Sequence, residues 1–337
     1  MYSFKYDYCE LGHERILNDL LKISRIQQAG YGLDETSSQA KELIGKRFEL
    51  GNADIHFLSG GTQTNLVFIN SALSPVEAVI AADCAHIFTN ETGAIEHNGN
   101  KILTAANEDG KLRPSDIEKI CGAHTNEHTV KPRLVFISQS TEKGTVYKKQ
   151  ELKNLSDECK KRGLYLYMDG ARLGAALASG GMDVRPQDLQ EYCDAFYIGG
   201  TKNGAPLGEA LCIVNEKLKK DFRYYLKQHG ALLAKGALIG CCFKTLFEDD
   251  LYFNLAEYSN SMAQKLAKAF AGKGYEMSSD SPTNQIFPVL PNEKIAQLQR
   301  HFDFYVWKKV DDNRSIIRLV CSWAAKESEV DSLIAML

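Results

Sequence analysis

The nine cysteines of this 337-residue chain (Cys9, Cys84, Cys121, Cys159, Cys193, Cys212, Cys241, Cys242 and Cys321) form no C-x-x-C pair and no zinc-like spacing. A metal centre or a dithiol redox pair is therefore not expected, and buried free thiols are. No run approaches the roughly eighteen uncharged apolar residues of a membrane span. The first residues, MYSFKYDYCELGHERILNDLL, carry charges within their first turns and lack the basic, apolar, small-residue succession of an export signal, so a cytoplasmic protein is expected. Forty Lys and Arg against 43 Asp and Glu give a net charge of −3, which excludes a broad basic surface for nucleic acid and leaves room only for a local anion site. Internal repeats and low-complexity linkers are missing too.

What is present is the alternation of a layered α/β protein. DIHFLS, AVIAAD, KILTA, RLVFISQ, LYLYMD, DAFYIGG and EALCIV are short runs rich in Val, Ile, Phe and Tyr, as strands buried on both faces require. GTQTNLVFINSAL, PSDIEKICG and KKQELKNLSDECKKRG have helical period, the last closing on a basic turn and a glycine. These imply a mainly parallel sheet covered by helices over about residues 45–215. Beyond it, DDLYFNLAEYSNSMAQKLAKAFAGKG reads as a long amphipathic helix stopped by Gly272 and Gly274, followed by the short strands QIFPVL, FYVWKK and SIIRLVCSW. The expected organisation is an N-terminal segment (1–30), a large α/β domain (31–245) and a smaller C-terminal α+β domain (246–337).

Three stretches carry candidate chemistry. In YIGGTKNGAP, Lys202 follows an apolar strand and two glycines, where an amine loses water and small neighbours leave room for a ligand. In LYLYMDGARLGAAL, a buried strand ends in Asp169, at the strand end that faces the ligand crevice of α/β sheets; an ion pair with Arg172 is the plainer alternative. In FLSGGTQTN, a strand runs through Ser59, Gly60, Gly61 and Thr62 straight into a helix, so backbone N–H groups converge on a place for a phosphate. A plain N-cap at Ser59 or Thr62 explains that stretch equally well. It is neither a Walker A loop nor a G-x-G-x-x-G turn. A phosphate cradle, a strand-end carboxylate and a later strand-end lysine, in that order, are what pyridoxal 5'-phosphate (PLP) requires. His86, after AVIAADCA, adds a flat imidazole suited to lie over a cofactor ring and to move a proton. Arg318, inside the apolar strand SIIRLVCSW, needs a bidentate partner, either a substrate carboxylate or a protein Asp or Glu.

SGGTQTN, AHIFTNETGAIE, STEKGTVY, MDGARLGAAL, GGTKNGAPLGEA and RLVCSW resemble, in order and spacing, the low-specificity L-threonine aldolases of the β-eliminating lyase group of fold type I PLP enzymes. The resemblance runs from about residue 28 to 330, with GYGLD at Gly30 to Asp34 as a further point. It implies an aspartate-aminotransferase-like fold with a large PLP-binding α/β domain and a small C-terminal α+β domain. It implies Lys202 as the Schiff-base lysine, Asp169 as partner of the pyridinium, His86 stacked on the ring, Gly60, Gly61 and Thr62 at the phosphate, and Arg172 and Arg318 at the substrate carboxylate. It also implies a homodimer or homotetramer with shared sites, so that Tyr31, Lys227 and Lys235 reach a neighbouring subunit's cofactor.

The chain departs from the family in two places. STEKGTVY has Glu142 where many members have a histidine, and Tyr6-Asp7 stands where Ser-Asp is common, which puts Tyr6 among the candidates for substrate binding. The reaction implied is retro-aldol cleavage of L-threonine, L-allo-threonine and related β-hydroxy-α-amino acids to glycine and an aldehyde, with His86 or Glu142, directly or through water, taking the hydroxyl proton. Another PLP-dependent elimination or racemisation of a small amino acid would use nearly the same residues. A non-catalytic sugar-phosphate or nucleotide binder on the same scaffold would leave Lys202 and Asp169 without a role.

Overall fold

The computed structural model describes residues 1–337. All seven apolar runs form one sheet: β1 (Asp54–Leu58), β2 (Glu77–Ala82), β3 (Lys101–Ala105), β4 (Lys131–Ser138), β5 (Tyr165–Asp169), β6 (Ala195–Gly199) and β7 (Glu209–Ile213). The order across the sheet is β1-β7-β6-β5-β4-β2-β3, and only β7 runs antiparallel to its neighbours. In consequence the carboxyl ends of β1, β2, β4, β5 and β6 and the first residue of β7, Glu209, all meet at one edge. Register fixes this alignment, with Glu209 opposite both Leu58 and Gly199, and Ser138 opposite Asp169.

The helices follow the expected positions. Gly61–Ala72 starts directly after β1, and Pro114–Ala123 has its proline in the first turn, where a missing N–H costs nothing. Lys149–Arg162 ends on Lys160, Lys161 and Arg162 and closes at Gly163, whose φ of 68° is the left-handed cap that glycine adopts freely. The long helix begins at Leu251 rather than Asp249, because Asp249 and Asp250 both take φ of 55°, and it runs to Gly272.

Two apolar cores result. The larger gathers the sheet strands with Phe68, Phe136, Phe196 and Phe243; the smaller gathers Phe4, Phe270, Leu290, Phe304, Ile317 and Leu319. The long helix belongs to both: Tyr252 and Leu255 pack into the first, while Met262, Leu266 and Phe270 pack into the second. Each such aliphatic burial contributes about 1.5–3 kcal/mol, so the helix ties the two cores together firmly. The second core is floored by β8 (Gln285–Ile286), β9 (Val289–Pro291), β10 (Tyr305–Lys309) and β11 (Arg314–Val320), with β11 paired antiparallel to the other three. The chain's first residues join it, Tyr2–Ser3 pairing in parallel with Phe302–Asp303. That pairing carries Asp7 and Tyr8 to the carboxyl edge of the large sheet.

Six of the nine cysteines are buried; Cys9 is exposed and Cys84 and Cys121 are half-buried, so burial accounts for most of the thiols but not all. No helix is long and apolar enough to cross a membrane.

Candidate active site

A cavity of about 320 Å³ opens at the carboxyl edge of the sheet. Ser59, Gly60, Gly61, Thr62, His86, Glu142, Asp169, Arg172 and Lys202 all line it, joined by Tyr8, Glu91, Ser140, Tyr197 and Glu209. Apart from Tyr8, these residues, spread from Ser59 to Glu209, converge because each belongs to, follows or begins a strand that ends at the same edge.

The Asp169 turn is built by close backbone approach. A Cβ on Gly170 would stand 1.7 Å from the Tyr197 carbonyl oxygen, so only glycine lets β5 and β6 approach here, and the Gly199 N–H donates to the Gly170 carbonyl at 3.0 Å. The Asp169 carboxylate then receives the Ala171 N–H at 3.0 Å, the Tyr197 hydroxyl at 2.6 Å and Asn65 Nδ2 at 3.0 Å. Burial pushes the Tyr197 phenol well above its ordinary range, so it stays a donor. Its hydroxyl also lies against Gly61, whose Cβ would stand 3.0 Å from it; the carboxylate and the glycine turn are therefore locked to one another.

Arg172 does not pair with Asp169, which removes the plainer alternative. Its Nε and Nη2 donate to Asp7 at 2.7 and 3.0 Å, and Asn284 Nδ2 donates to the same carboxylate at 3.0 Å. Burial works against both charges. The Arg172 guanidinium, and after it the Lys202 amine, nevertheless hold Asp7 below the usual carboxylate range, and Asp7 holds Arg172 above its own. Two of the five guanidinium N–H groups of Arg172 are used in this pair, and those of Nη1 and the second of Nη2 are left for a ligand.

The helix after β1 is not capped by Ser59 or Thr62. Gly60 holds the cap position with no side-chain hydrogen bond, and the Ser59 hydroxyl turns to Gln63 Oε1 at 2.8 Å. The first-turn N–H groups thus have no side-chain acceptor, as an anion cradle needs.

Lys202 lines the cavity, and the depth of its position strips water from it. Burial, with the charge of Arg172 second, pushes its amine below the ordinary lysine range, toward the neutral nucleophile. Glu209, at the start of β7, accepts the Gly200 N–H at 3.0 Å, and burial pushes it up to about 8. Glu142 takes both the His86 backbone N–H, at 3.0 Å, and the Ser138 hydroxyl, at 2.8 Å, on Oε1, and burial raises its pKa.

The remaining sequence candidates lie elsewhere. Arg318 is outside the cavity lining and has neither of its expected carboxylate partners within the protein. Its guanidinium carbon lies 4.9 and 4.8 Å from the ring centroids of Tyr305 and Trp307, with one long hydrogen bond of 3.3 Å from Nη2 to the Lys5 carbonyl. Its Nε is buried without an acceptor, and burial, then the nearby Arg172 charge, pushes its pKa down. Tyr6 is not a cavity residue: its hydroxyl is bonded to that of Tyr305 at 2.6 Å and its ring stacks on Tyr8, which does line the cavity. Tyr31, Lys227 and Lys235 are exposed; Tyr31 flanks a separate small pocket, and Lys227 sits 4.7 Å over its ring.

Asn65, Glu91, Tyr197, Glu209 and Tyr8 went unflagged in the sequence. The only signals were position: Asn65 is one turn into the helix from the glycine turn, and Glu209 begins a strand of the same sheet.

The family model for the beta-eliminating lyases matches residues 22–292. The chain belongs to the beta-eliminating lyase family. A low specificity L-threonine aldolase of Pseudomonas sp. (strain NCIMB 10558) is 34% identical over 93% of this chain and 90% of its own length, and the Pseudomonas aeruginosa protein of the same name is 33% identical over 90% and 88%. Among solved structures, the Leishmania major threonine aldolase superposes with a TM-score of 0.98 at 46% identity, covering 99% of this chain and 98% of that one. An aspartate aminotransferase variant of Thermus thermophilus, at 13% identity and a TM-score of 0.70 over 96% of this chain and 87% of its own, shares the fold.

The cavity fits the cofactor that the family's fold implies. It offers an uncapped helix start at one end, a carboxylate fixed by three donors, a water-stripped amine, an imidazole, and a buried Ser140 hydroxyl with no protein partner.

Proposed function

We propose that this protein is a PLP-dependent aldehyde lyase that cleaves L-threonine, L-allo-threonine and related β-hydroxy-α-amino acids to glycine and an aldehyde. One arrangement carries the reading: the water-depleted Lys202 amine shares a cavity with an Asp169 carboxylate whose position is fixed by Tyr197, Asn65 and the Ala171 N–H. Bound PLP supplies an electron-accepting ring, toward which the bonding pair of a substrate Cα–Cβ bond is drawn.

The chain's own groups do the rest. Asp169 would hold the ring nitrogen protonated, Gly60, Gly61 and Thr62 would hold the phosphate, Lys202 would bind the cofactor covalently through its amine, and His86 would flank the ring. Arg172 and Arg318 would hold the substrate carboxylate, which orients the bond to be broken. His86 or Glu142 takes the hydroxyl proton. Tyr8 forms part of the cavity wall.

The same reading includes a homodimer or homotetramer in which Tyr31, Lys227 and Lys235 reach a neighbour's phosphate, and a cytoplasmic location. It also includes a division into an N-terminal segment (1–30), a large domain (31–245) and a small domain (246–337).

The test is product analysis. PLP-loaded protein incubated with L-threonine and L-allo-threonine is expected to release glycine and acetaldehyde in equal amounts. A 2-oxo acid with ammonia, or the D-isomer of the substrate, would replace the aldolase reading with elimination or racemisation.

A further inference from the structure

Two groups compete for the substrate's hydroxyl proton, and the side chains behind them differ. His86 Nδ1 lies 2.8 Å from Glu91 Oε1. The Glu91 side chain is fully enclosed, whereas that of His86 is 39% exposed, and both line the cavity, so the ring has one edge anchored in protein and the other open. Glu91 Oε1 also accepts from Asn65 Nδ2 at 2.8 Å. The Asn65 amide has a single consistent orientation: its Oδ1 receives the Tyr167 hydroxyl at 3.0 Å, and its Nδ2 gives one hydrogen to Glu91 and the other to Asp169.

We propose that Glu91 is a positioning residue that fixes His86 in the Nδ1–H tautomer and so makes His86 Nε2 the acceptor of the substrate's β-hydroxyl proton. An ionised carboxylate only accepts, so the hydrogen of the His86–Glu91 bond resides on Nδ1 and the lone pair is left on Nε2, at the open edge. When the substrate O–H bond breaks, its proton passes to Nε2 and its electron pair becomes the second bond of the leaving aldehyde. The Cα–Cβ pair stays with the α-carbon, which regains one proton to become glycine, so no further reactant is consumed. The positive imidazolium formed on the way faces the Glu91 carboxylate, as an orienting acid faces the base in other acyl- and proton-transfer sites. Because the Asn65 amide grips Glu91 and Asp169 together, the proton acceptor and the cofactor-facing carboxylate are held in one frame. Glu142, by contrast, already spends Oε1 on the His86 backbone N–H and on Ser138.

This inference rests on the aldolase reading, and its test separates the two. Histidine-selective 15N spectra of the cofactor-free protein, with His86→Gln to assign the signal, are expected to show the Nδ1–H tautomer in the wild type and a mixture in Glu91→Ala. In the PLP-loaded enzyme, Glu91→Gln keeps an acceptor but removes the charge. Its kcat on L-threonine is expected to fall about 10- to 100-fold, the usual effect of losing an outer-shell partner, with KM little changed and the acidic limb of the pH profile moved to lower pH. Glu91→Asp is expected to recover part of the loss. Unchanged tautomer and unchanged pH limb in the Glu91 variants, with the wild type active, would overturn the assignment and leave Glu142 as the acceptor. A wild type that cleaves no β-hydroxy amino acid would sink the aldolase reading and the proton-acceptor role with it, while the ring spectra still decide the tautomer.

Discussion

Asp169 and Arg318 are both charged groups held in protein, yet one is fully answered by its surroundings and the other is left open. Asp169 takes three hydrogen bonds from the large core's own strands and helix. Arg318, in the small core's sheet, has the Tyr305 and Trp307 rings beside it, one long bond to a carbonyl and a buried Nε with no acceptor. An unpaired buried donor is costly and calls for an explanation, a ligand being one. Asp169 is thus held by the protein alone, whereas Arg318 keeps a buried donor that the protein does not pair.

Substitutions break this comparison in order of severity. Lys202→Ala is expected to abolish turnover and the visible absorbance of lysine-bound PLP, read by spectrum and product assay on the same sample. Asp169→Asn, which keeps the shape but removes the charge opposite the ring nitrogen, is expected to lower kcat on the order of 10²- to 10³-fold, as loss of one preorganised electrostatic partner does. Arg318→Gln is expected to act mainly on KM, weakening substrate by about 2–5 kcal/mol, the cost of losing one side of an enclosed charge pair, while PLP affinity stays as in the wild type. If PLP binding fell with it, the contrast between the answered and the open charge would be wrong. Tyr197→Phe removes one hydrogen bond to a charged acceptor and is expected to cost about 1.5–3 kcal/mol of stability in thermal or urea unfolding.

Much of this was legible in the chain. The seven strands read cleanly because strands buried on both faces must be short unbroken apolar runs, and Lys202, Asp169 and His86 stood out because each follows such a run. The partners did not. Asp7 and Arg172 meet across 165 residues through the pairing of Tyr2–Ser3 with Phe302–Asp303, which no local pattern announces. Asn65, Glu91 and Tyr197 are single polar side chains within or beside ordinary elements, and their role exists only where three elements cross. Tyr6 and Tyr8 stand two residues apart with stacked rings, yet only Tyr8 lines the cavity, and no local pattern separates the two.

A smaller effect sharpens the comparison through pH. Glu209 is raised to about 8 by burial, so the folded state binds a proton that the unfolded state releases near 4.5. Stability from this group is present at low pH and is lost as pH climbs through that window. In thermal scans of the cofactor-free protein, Glu209→Gln, which cannot ionise, is expected to gain on the wild type progressively from pH 5 to 8. A gap that stays constant across that range would mean Glu209 is ionised throughout.

The central claim is that the carboxyl edge of the large sheet is a PLP site built on one lysine. Borohydride reduction of the PLP-loaded protein followed by peptide mass mapping tests it most directly. The account predicts a single pyridoxyl label, on Lys202, absent from Lys202→Ala. A label on another lysine, or none at all, would contradict it.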